Sequence, residues 1–221
     1  MILKNRYLTA SLIILSLFIV LAAVVSPRVN PKGSSITGDD SSAYSQINDS
    51  HYKPLNQMML LLSQYGREVV WTVTAILVFI FGGRTGKKTA VVMAITMIVL
   101  TPIGAIAKEV VGRPRPTIPQ SDFLMAADSE FAFPSGHAVI VSSGSAVFLA
   151  FFRDSYKKLA ISIALTAEAA LVCFSRVYVG GHYPLDVAGG ILLGVGVALI
   201  FIAATRRIEQ VLEPIAKILK K

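Results

Sequence analysis

The sequence SRVYVGGHYPLD, residues 175–186, lies between two long apolar runs and places an arginine, a histidine and an aspartate where a membrane segment would meet water. His182 and Asp186 are four residues apart, with Pro184 between them. Because proline suits the first turn of a helix, a helix that begins near Pro184 would bring the two side chains about one turn apart. The carboxylate can then accept a hydrogen bond from one imidazole N–H and leave the other nitrogen free as a nucleophile, and Arg176 adds positive charge. Taken alone, the stretch is equally compatible with a polar turn between helices.

The composition favours a membrane protein. The 221 residues are 54% hydrophobic and 15% charged, whereas roughly a quarter of the residues of a soluble domain are charged. The net charge of +8 comes from cations in short loops between apolar runs. This pattern is typical of topology signals and speaks against a nucleic-acid partner. The single cysteine, Cys173, lies inside an apolar run, which excludes an intramolecular disulfide and a cysteine metal cluster.

Six apolar runs predict an all-α bundle of six transmembrane helices. In chain order they are Leu8–Val25, Val69–Gly83, Thr89–Ala107, Ala138–Phe152, Leu159–Phe174 and Leu185–Ala204. The first run could also be a signal peptide, but its length and the proline after Ser26 favour a retained helix. Gly190 and Gly194 in the sixth run have the small-xxx-small spacing, which predicts a close contact with another helix.

The segments between the runs are polar or amphipathic. Residues 26–54 are rich in Ser, Asp, Gly and Asn without an apolar period, which predicts a mobile polar loop outside the cell. Leu55–Tyr65 is amphipathic and predicts a short helix in the membrane interface. The basic tail, 205–221, is compatible with an interfacial helix against anionic lipid or with a solvated extension. We expect residues 1–221 to form a single membrane-embedded domain.

The distribution of Lys and Arg predicts the orientation in the cell membrane. An even number of spans puts both termini on one side. Thirteen of the 21 Lys and Arg residues lie in the N-terminal segment, the tail and the loops Gly82–Lys88 and Arg153–Lys158. Because positive loops face the cytoplasm, we expect both termini to be cytoplasmic and the loops 108–137 and 175–185 to be extracytoplasmic.

Two further polar clusters are predicted to lie on the same membrane face as residues 175–186. The sequence KEVVGRPRP, residues 108–116, follows the third run, and PSGH, residues 134–137, precedes the fourth. Alternation of the spans places all three clusters on one side, where helix ends can form a single pocket. The candidate side chains are the cations Lys108, Arg115 and Arg176, the histidines His137 and His182, and the carboxylate Asp186.

This set of side chains predicts an anion site and disfavours a metal site, because three cations would repel a metal ion and few ligands are present. Arginine suits bidentate recognition of phosphate. Ser135 and Gly136, at the start of a helix, can offer a hydroxyl and backbone N–H groups. No Gly-x-x-x-x-Gly-Lys-Ser/Thr loop is present, so a nucleotide-hydrolysing site lacks its usual cradle. Glu168, inside the fifth run, is predicted either to bond within the bundle or to contact substrate.

The three clusters resemble the three-part signature of the type 2 phosphatidic acid phosphatase superfamily. The matching patterns are Lys-x6-Arg-Pro (108–116), Pro-Ser-Gly-His (134–137) and Ser-Arg-x5-His-x3-Asp (175–186), with all eleven specified residues in order. The apolar runs extend the likeness to the integral-membrane lipid phosphatases of the family. Soluble acid phosphatases and vanadium haloperoxidases share the signature but fit the apolar runs poorly. Arg113 also precedes a proline, but its spacing from Lys108 is wrong, which leaves it a supporting role.

The resemblance implies hydrolysis of a lipid phosphate or diphosphate without a metal or another cofactor. His182 would attack phosphorus and form a phosphohistidine, Asp186 would orient His182, and His137 would protonate the leaving oxygen. Charge on the transferring phosphoryl group would be stabilised by Lys108, Arg115, Ser135, Gly136 and Arg176.

The lipid itself is left open by the sequence. Candidate substrates are polyprenyl diphosphate, phosphatidylglycerol phosphate and phosphatidic acid, and analogy favours the first. A phosphotransferase that passes the phosphoryl group to a second lipid, and a non-enzymatic transporter of anionic lipids, remain as alternatives. The oligomeric state is not predicted.

Overall fold

The computed structural model describes residues 2–49, 52–117 and 130–218, and their secondary structure is entirely helical. The predicted all-α class is therefore confirmed for this part of the chain. The α-helices are α1 (Ile2–Val25), α2 (Ser35–Asn48), α3 (Lys53–Tyr65), α4 (Trp71–Phe81), α5 (Gly83–Val111), α6 (Gly136–Phe151), α7 (Tyr156–Tyr178) and α8 (Pro184–Ile218). A π-helical segment, Gly66–Val70, joins α3 directly to α4.

Four of these helices are long and apolar enough to cross a membrane: α1, α5, α7 and the first part of α8, Pro184–Thr205. Helix α6 is apolar but has only 16 residues. The chain is helical from Lys53 to Phe81, so the short second apolar run belongs to a longer helical stretch than the sequence indicated. The six-span count itself stays a prediction.

Large apolar side chains cover much of the outer surface of the bundle. Leu12 and Ile19 of α1, Phe81 of α4 and Ile98 of α5 are each more than half exposed. A water-soluble monomer rarely exposes so much contiguous apolar surface, whereas lipid tails solvate it without cost. The surface therefore agrees with the membrane class that the composition indicated.

Residues 26–54 are not a loop throughout, and the prediction of a mobile loop is wrong over Ser35–Asn48. Helix α2 begins with a capping box in which Ser34 and Thr37 bond each other's backbone N–H groups. Its inner face carries Asp40 and Tyr44, both buried, and the partly buried Ile47. These three positions have helical spacing, i, i+4 and i+7, but so few apolar residues gave no visible period in a polar sequence.

Three further connections differ from the sequence predictions. Helix α3 ends at Tyr65, as predicted, but the π-helical segment Gly66–Val70 joins it to α4 without a loop. Its place in the membrane interface stays a prediction. The predicted loop Gly82–Lys88 is reduced to a sharp reversal, because α5 already begins at Gly83, whose φ of 65° lies in the left-handed region open to glycine. Helix α8 continues without a break into the predicted tail and reaches Ile218. An apolar run does not show where a helix ends, because the backbone hydrogen bonds of the helix can continue into polar sequence.

Helix α8 packs closely against both α6 and α1. A Cβ atom added to Gly190 would lie 2.6 Å from the carbonyl oxygen of Ser135, and one added to Gly194 would lie 2.3 Å from that of Val139. The predicted close contact of this glycine face is thereby confirmed, with α6 as the partner. On the other side of α8, the Ser11 hydroxyl of α1 donates to the carbonyl of Gly196 at 2.7 Å.

The largest buried apolar cluster among the described residues has members from α2 and from all the helices from α4 to α8. Trp71 and Phe148 meet edge to face, with ring centroids 6.0 Å apart. The indole N–H of Trp71 donates to Oε2 of Glu168 at 3.0 Å. Of the two roles predicted for Glu168, a bond within the bundle is the one that this contact supports.

Candidate active site

The three polar clusters emerge from helix ends at one end of the bundle. Lys108 lies in the last turn of α5. The helix is capped by Gly112 in the left-handed conformation, with φ of 65° and an N–H that donates to the Lys108 carbonyl at 2.9 Å. His137 lies in the first turn of α6, and Asp186 in the first turn of α8, which begins at Pro184 as predicted. The backbone N–H of Ser135 donates to the Asp186 carbonyl at 2.9 Å and joins the starts of α6 and α8.

The two ring nitrogens of His182 face different neighbours. Nδ1 lies 3.6 Å from Oδ2 of Asp186, which is longer than a hydrogen bond, and Nε2 lies 3.2 Å from Nη1 of Arg115. Arg115 is held in turn by the carbonyls of Gly181, at 2.7 Å, and Glu130, at 2.9 Å. Nε2 is therefore the nitrogen on the cationic side of the site, and Nδ1 is the one on the carboxylate side.

The surroundings keep both histidines neutral in the absence of an anion. Burial lowers the pKa of His182, which is 1% exposed, and the charges of Arg176, Arg115 and Lys108 lower it further. His137 precedes the apolar part of α6. Burial again lowers its pKa, followed by the charges of Arg176 and Arg67. An anion bound among these groups would raise the pKa of both histidines and favour their protonated forms.

The predicted phosphate-binding side chains lie around the two rings. Ser135 is fully buried, and its Oγ has no hydrogen-bond partner among the described protein atoms. The guanidinium of Arg176 contacts Oγ of Ser63, and Lys108 contacts the exposed Glu130. The structure thus brings together at one end of the bundle all eight predicted site residues, namely Lys108, Arg115, Ser135, Gly136, His137, Arg176, His182 and Asp186.

Three comparisons with known proteins relate this arrangement to a family. The sequence profile of the PAP2 superfamily matches residues 86–209. The chain is 32% identical to an undecaprenyl-diphosphatase of Sulfolobus acidocaldarius, over 91% of this chain and 96% of that protein. It is 31% identical to a bacitracin transport permease protein of Bacillus licheniformis, over 71% of this chain and 76% of the relative. The chain belongs to the PAP2 superfamily.

The PAP2 fold also appears in the structural comparison. A transmembrane PAP2 type phosphatidylglycerolphosphate phosphatase from Bacillus subtilis superposes with a TM-score of 0.67, at 20% identity, over 92% of this chain and 97% of that one. This likeness shows the fold, and the predicted family is confirmed by the profile and the sequence relative. Together with the four long apolar helices, these matches identify a multi-pass membrane protein and a phosphatase that acts on lipids.

The sequence missed three residues of this PAP2 site, because all three lie outside the signature. Asp40 of α2 is buried against Arg113. Ser63 of α3 contacts Arg176 and hydrogen-bonds His137 through its backbone. Arg67 of the π-helical segment lies beside Gly136, with Nη1 3.5 Å from the position of a Cβ atom there. For Asp40, the helical spacing with Tyr44 was the available signal; for Ser63 and Arg67 we find none in the sequence.

Arg113, which the signature leaves out, lies deeper in the PAP2 site than its predicted supporting role suggested. It is 5% exposed, and Nη1 donates to Oδ1 of Asp186 at 2.7 Å. Asp186 and Asp40 outweigh the effect of burial and raise the pKa of Arg113, so its charge is secure. The local sequence could not show this contact, because Asp186 is 73 residues away along the chain.

A cavity of about 610 Å³ leads from the PAP2 site down between α4, α5 and α6. Its polar end is formed by Arg67, Lys108, Glu130 and Gly136. Its walls are mostly apolar and include Trp71, Ile76, Met97, Leu100 and Ile140. Among the described residues, no group of three or more His, Cys, Asp and Glu side chains could hold a metal ion.

Proposed function

We propose that this PAP2 phosphatase removes the terminal phosphate of a polyprenyl diphosphate through a phosphohistidine on His182. The observation that carries the proposal is a fully buried imidazole placed between a carboxylate and a group of cations, near a buried serine hydroxyl that has no hydrogen-bond partner within the described part of the chain. Cations and an unpaired donor around one nucleophilic nitrogen fit a phosphoryl group better than any neutral ligand.

The first step is attack of Nε2 of His182 on the terminal phosphorus. The low pKa of His182 supports this role, because only the neutral imidazole carries the lone pair that forms the N–P bond. As that bond forms, the bond from phosphorus to the bridging oxygen breaks, and the leaving group is the lipid monophosphate. Arg115, Arg176 and Lys108 stabilise the charge on the three equatorial oxygens, and Ser135 Oγ donates to one of them.

His137 supplies the proton that the leaving oxygen needs. Its pKa is lowered in the absence of an anion, but the negative charges of a bound diphosphate oppose the effect of Arg176 and Arg67 and restore the protonated form. After the lipid leaves, His137 takes a proton from water, and the resulting hydroxide attacks phosphorus. The N–P bond then breaks, inorganic phosphate leaves, and both rings return to their starting forms.

The position of Arg67 favours a diphosphate over a monophosphate as the substrate. Arg115 and Arg176 act on His182, whereas Arg67, which is paired with Glu68, lies beside Gly136 at the polar end of the apolar cavity, an end that it shares with Lys108. A phosphate that links the reacting phosphoryl group to a lipid chain in this cavity would pass Arg67. Guanidinium groups suit such bidentate contacts, so Arg67 would bind the phosphate that stays on the lipid.

The topology proposed from the charges completes this function. With six spans and both termini in the cytoplasm, the active site lies on the extracytoplasmic face, where a carrier lipid diphosphate would be presented. The head group would enter from water, and the chain would remain between α4 and α5. The single membrane-embedded domain, with its signature region at 108–186, is part of the same proposal.

A substrate panel on the purified protein in detergent tests the proposal. Polyprenyl diphosphate, phosphatidylglycerol phosphate and phosphatidic acid are compared by release of inorganic phosphate. We expect the diphosphate to give the highest kcat/KM, and His182→Ala to abolish release without changing the melting temperature. Phosphate release by His182→Ala at a near-normal rate would contradict the nucleophile.

Arg67 variants in the same panel test the substrate class. Arg67→Gln is expected to lower kcat/KM for the diphosphate about tenfold or more, the loss typical of one charged contact, and to leave phosphatidic acid, which has a single phosphate, nearly unchanged. Arg67→Lys serves as the matched control that keeps the charge. An equal loss for all three lipids would assign Arg67 to the reacting phosphate and remove the preference for diphosphates.

Two other functions are separated by the same assay. A phosphotransferase would yield a newly phosphorylated lipid in place of inorganic phosphate. The similarity to a protein described as a transport permease is the reason to test the transporter alternative. Vanadate-sensitive phosphate release by the purified chain would decide against it, because transport requires no phosphate release.

A further inference from the structure

A second carboxylate is connected to the catalytic aspartate through Arg113. Nη1 of Arg113 donates to Oδ1 of Asp186 at 2.7 Å, and Nη2 donates to Oδ2 of Asp40 at 2.6 Å. One guanidinium therefore joins α2 to the first turn of α8, using both prongs of its fork. The three side chains are almost completely buried, with relative exposures of 5% for Asp40 and Arg113 and 0% for Asp186.

Asp40 also fixes the backbone of the catalytic segment. Its Oδ1 accepts the N–H of Leu185 at 2.9 Å, and Oδ2 of Asp186 accepts the N–H of Tyr183 at 2.8 Å. The guanidinium of Arg113 lies over the ring of Tyr183, 4.3 Å from its centroid. Both oxygens of each carboxylate are therefore engaged: Asp40 of α2 holds Leu185, after Pro184, and Asp186 itself holds Tyr183, before it.

The charges of this group matter for the chemistry at His182. Asp186 paired with Arg113 alone would form a neutral pair and offer little to a cationic imidazole. With Asp40 as a second partner, and with both carboxylates ionised, the group has a formal net charge of −1 beside Nδ1 of His182, 3.6 Å from Oδ2 of Asp186. Burial raises the pKa of Asp40, and its hydrogen bond with Arg113 acts against this. When Nε2 bonds to phosphorus, the ring becomes positive, and a buried negative charge stabilises it strongly.

We propose that Asp40 and Arg113 are positioning residues for the phosphoryl transfer: together they hold Asp186 against His182 and keep the site negative on the Nδ1 side. This inference rests on the proposed roles of His182 and Asp186. It assigns a catalytic purpose to α2, which lies outside the part of the chain that the family profile covers.

The pH dependence of the two variants gives a test that a merely structural role would not pass. Removing the charge of Asp40 leaves the surroundings of His182 more positive, so the acidic limb of kcat/KM moves to lower pH. Removing the charge of Arg113 leaves them more negative, so the limb moves to higher pH. The other charged and titratable groups that face His182 are common to all variants: Lys108, Arg115, His137 and Arg176, with Tyr183 beside Arg113.

The experiment compares Asp40→Asn, Arg113→Gln and Asp39→Asn in the purified full-length protein. Asp39 is the matched control, because it is the neighbouring aspartate on the exposed side of α2. We expect Asp40→Asn to lower kcat by about tenfold to a hundredfold, in line with the loss from a misplaced catalytic group, with little change in KM. Asp39→Asn should behave like the wild type.

Two results would overturn the inference. One is an unchanged kcat in Asp40→Asn, and the other is a shift of the acidic limb in the same direction in Asp40→Asn and Arg113→Gln. His182→Ala in the same series separates this failure from that of the proposed function. If His182→Ala is inactive while Asp40→Asn is normal, only the role of Asp40 and Arg113 is lost.

Arg113→Lys decides the question if the other variants do not fold. Lysine keeps the charge but cannot bond two carboxylates with a rigid fork. A lower kcat at an unchanged KM and melting temperature supports the positioning role, since the charge of the site is then the same. A wild-type kcat in Arg113→Lys would overturn it.

Discussion

His182 stays neutral among several cations, and Arg115 is the cation for which the structure gives a contact with Nε2, at 3.2 Å. A lowered pKa of a basic group means that the neutral nucleophile persists to a lower pH than the ordinary imidazole value of about 6.5. Substitution Arg115→Gln removes one of these charges, so the pKa of His182 should rise and the acidic limb of kcat/KM should move to higher pH. Arg115→Lys keeps the charge and should leave the limb in place.

The pH–rate profiles of the wild type and both Arg115 variants check this expectation, because kcat/KM reports the titration of groups in the substrate-free enzyme. An acidic limb at the same pH in Arg115→Gln and Arg115→Lys would show that the charge of Arg115 does not set the pKa of His182. The affinity for phosphate falls in both variants, and the position of the limb is independent of that loss.

Helix α8 depends on glycine for its contact with α6. A Cβ atom at Gly194 would lie 2.3 Å from the Val139 carbonyl, a distance that the backbone cannot accept without moving. Gly194→Ala should therefore destabilise the protein by about 1–3 kcal/mol through overpacking. Gly104→Ala is the matched control, because Gly104 lies within α5 and nothing is within 4 Å of its Cβ position. There, alanine should stabilise the helix by about 0.5–1 kcal/mol.

Thermal unfolding in detergent measures both effects. A lower melting temperature for Gly194→Ala and an equal or higher one for Gly104→Ala is the expected pair of results. If the two variants melted alike, the close approach of α6 and α8 would not be a source of stability.

The sequence predicted the helices that apolar runs define and missed those that tertiary contacts define. The runs located α5, α6, α7 and α8 within a few residues at most ends, because lipid-facing and core-facing positions are both apolar. Helix α2 left no such trace, since it buries only Asp40 and Tyr44 fully. The signature found the side chains that would touch phosphate. It could not find Asp40 or Ser63, whose partners lie more than 70 residues away along the chain.

The whole chain is expected to alternate across the membrane, with Ser42 of α2 outside and Lys157, in the first turn of α7, inside. Both side chains are exposed. Cys173 is the only cysteine of the sequence, so Cys173→Ala provides a background for single cysteines at these two positions. A membrane-impermeant maleimide should label Ser42→Cys in intact cells, and Lys157→Cys only after permeabilisation.

Labelling of Lys157→Cys but not of Ser42→Cys in intact cells would show that the orientation is the reverse of the predicted one. Labelling of both positions, or of neither, would contradict an odd number of crossings between them, and with it the six-span count. Retained phosphatase activity in each single-cysteine variant is the control that the labelled protein is folded.

The bond between the N–H of Ser135 and the carbonyl of Asp186 is made by main-chain atoms alone. Amino-acid replacement at either position, short of proline at 135, leaves both atoms in the chain. Substitutions of the surrounding side chains therefore leave in place a link between the segments that carry His137 and His182, the acid and the nucleophile of the proposed mechanism. Proteins with this fold can therefore differ in the residues that line the cavity, and so in the lipid they accept, while His137 and His182 keep their separation.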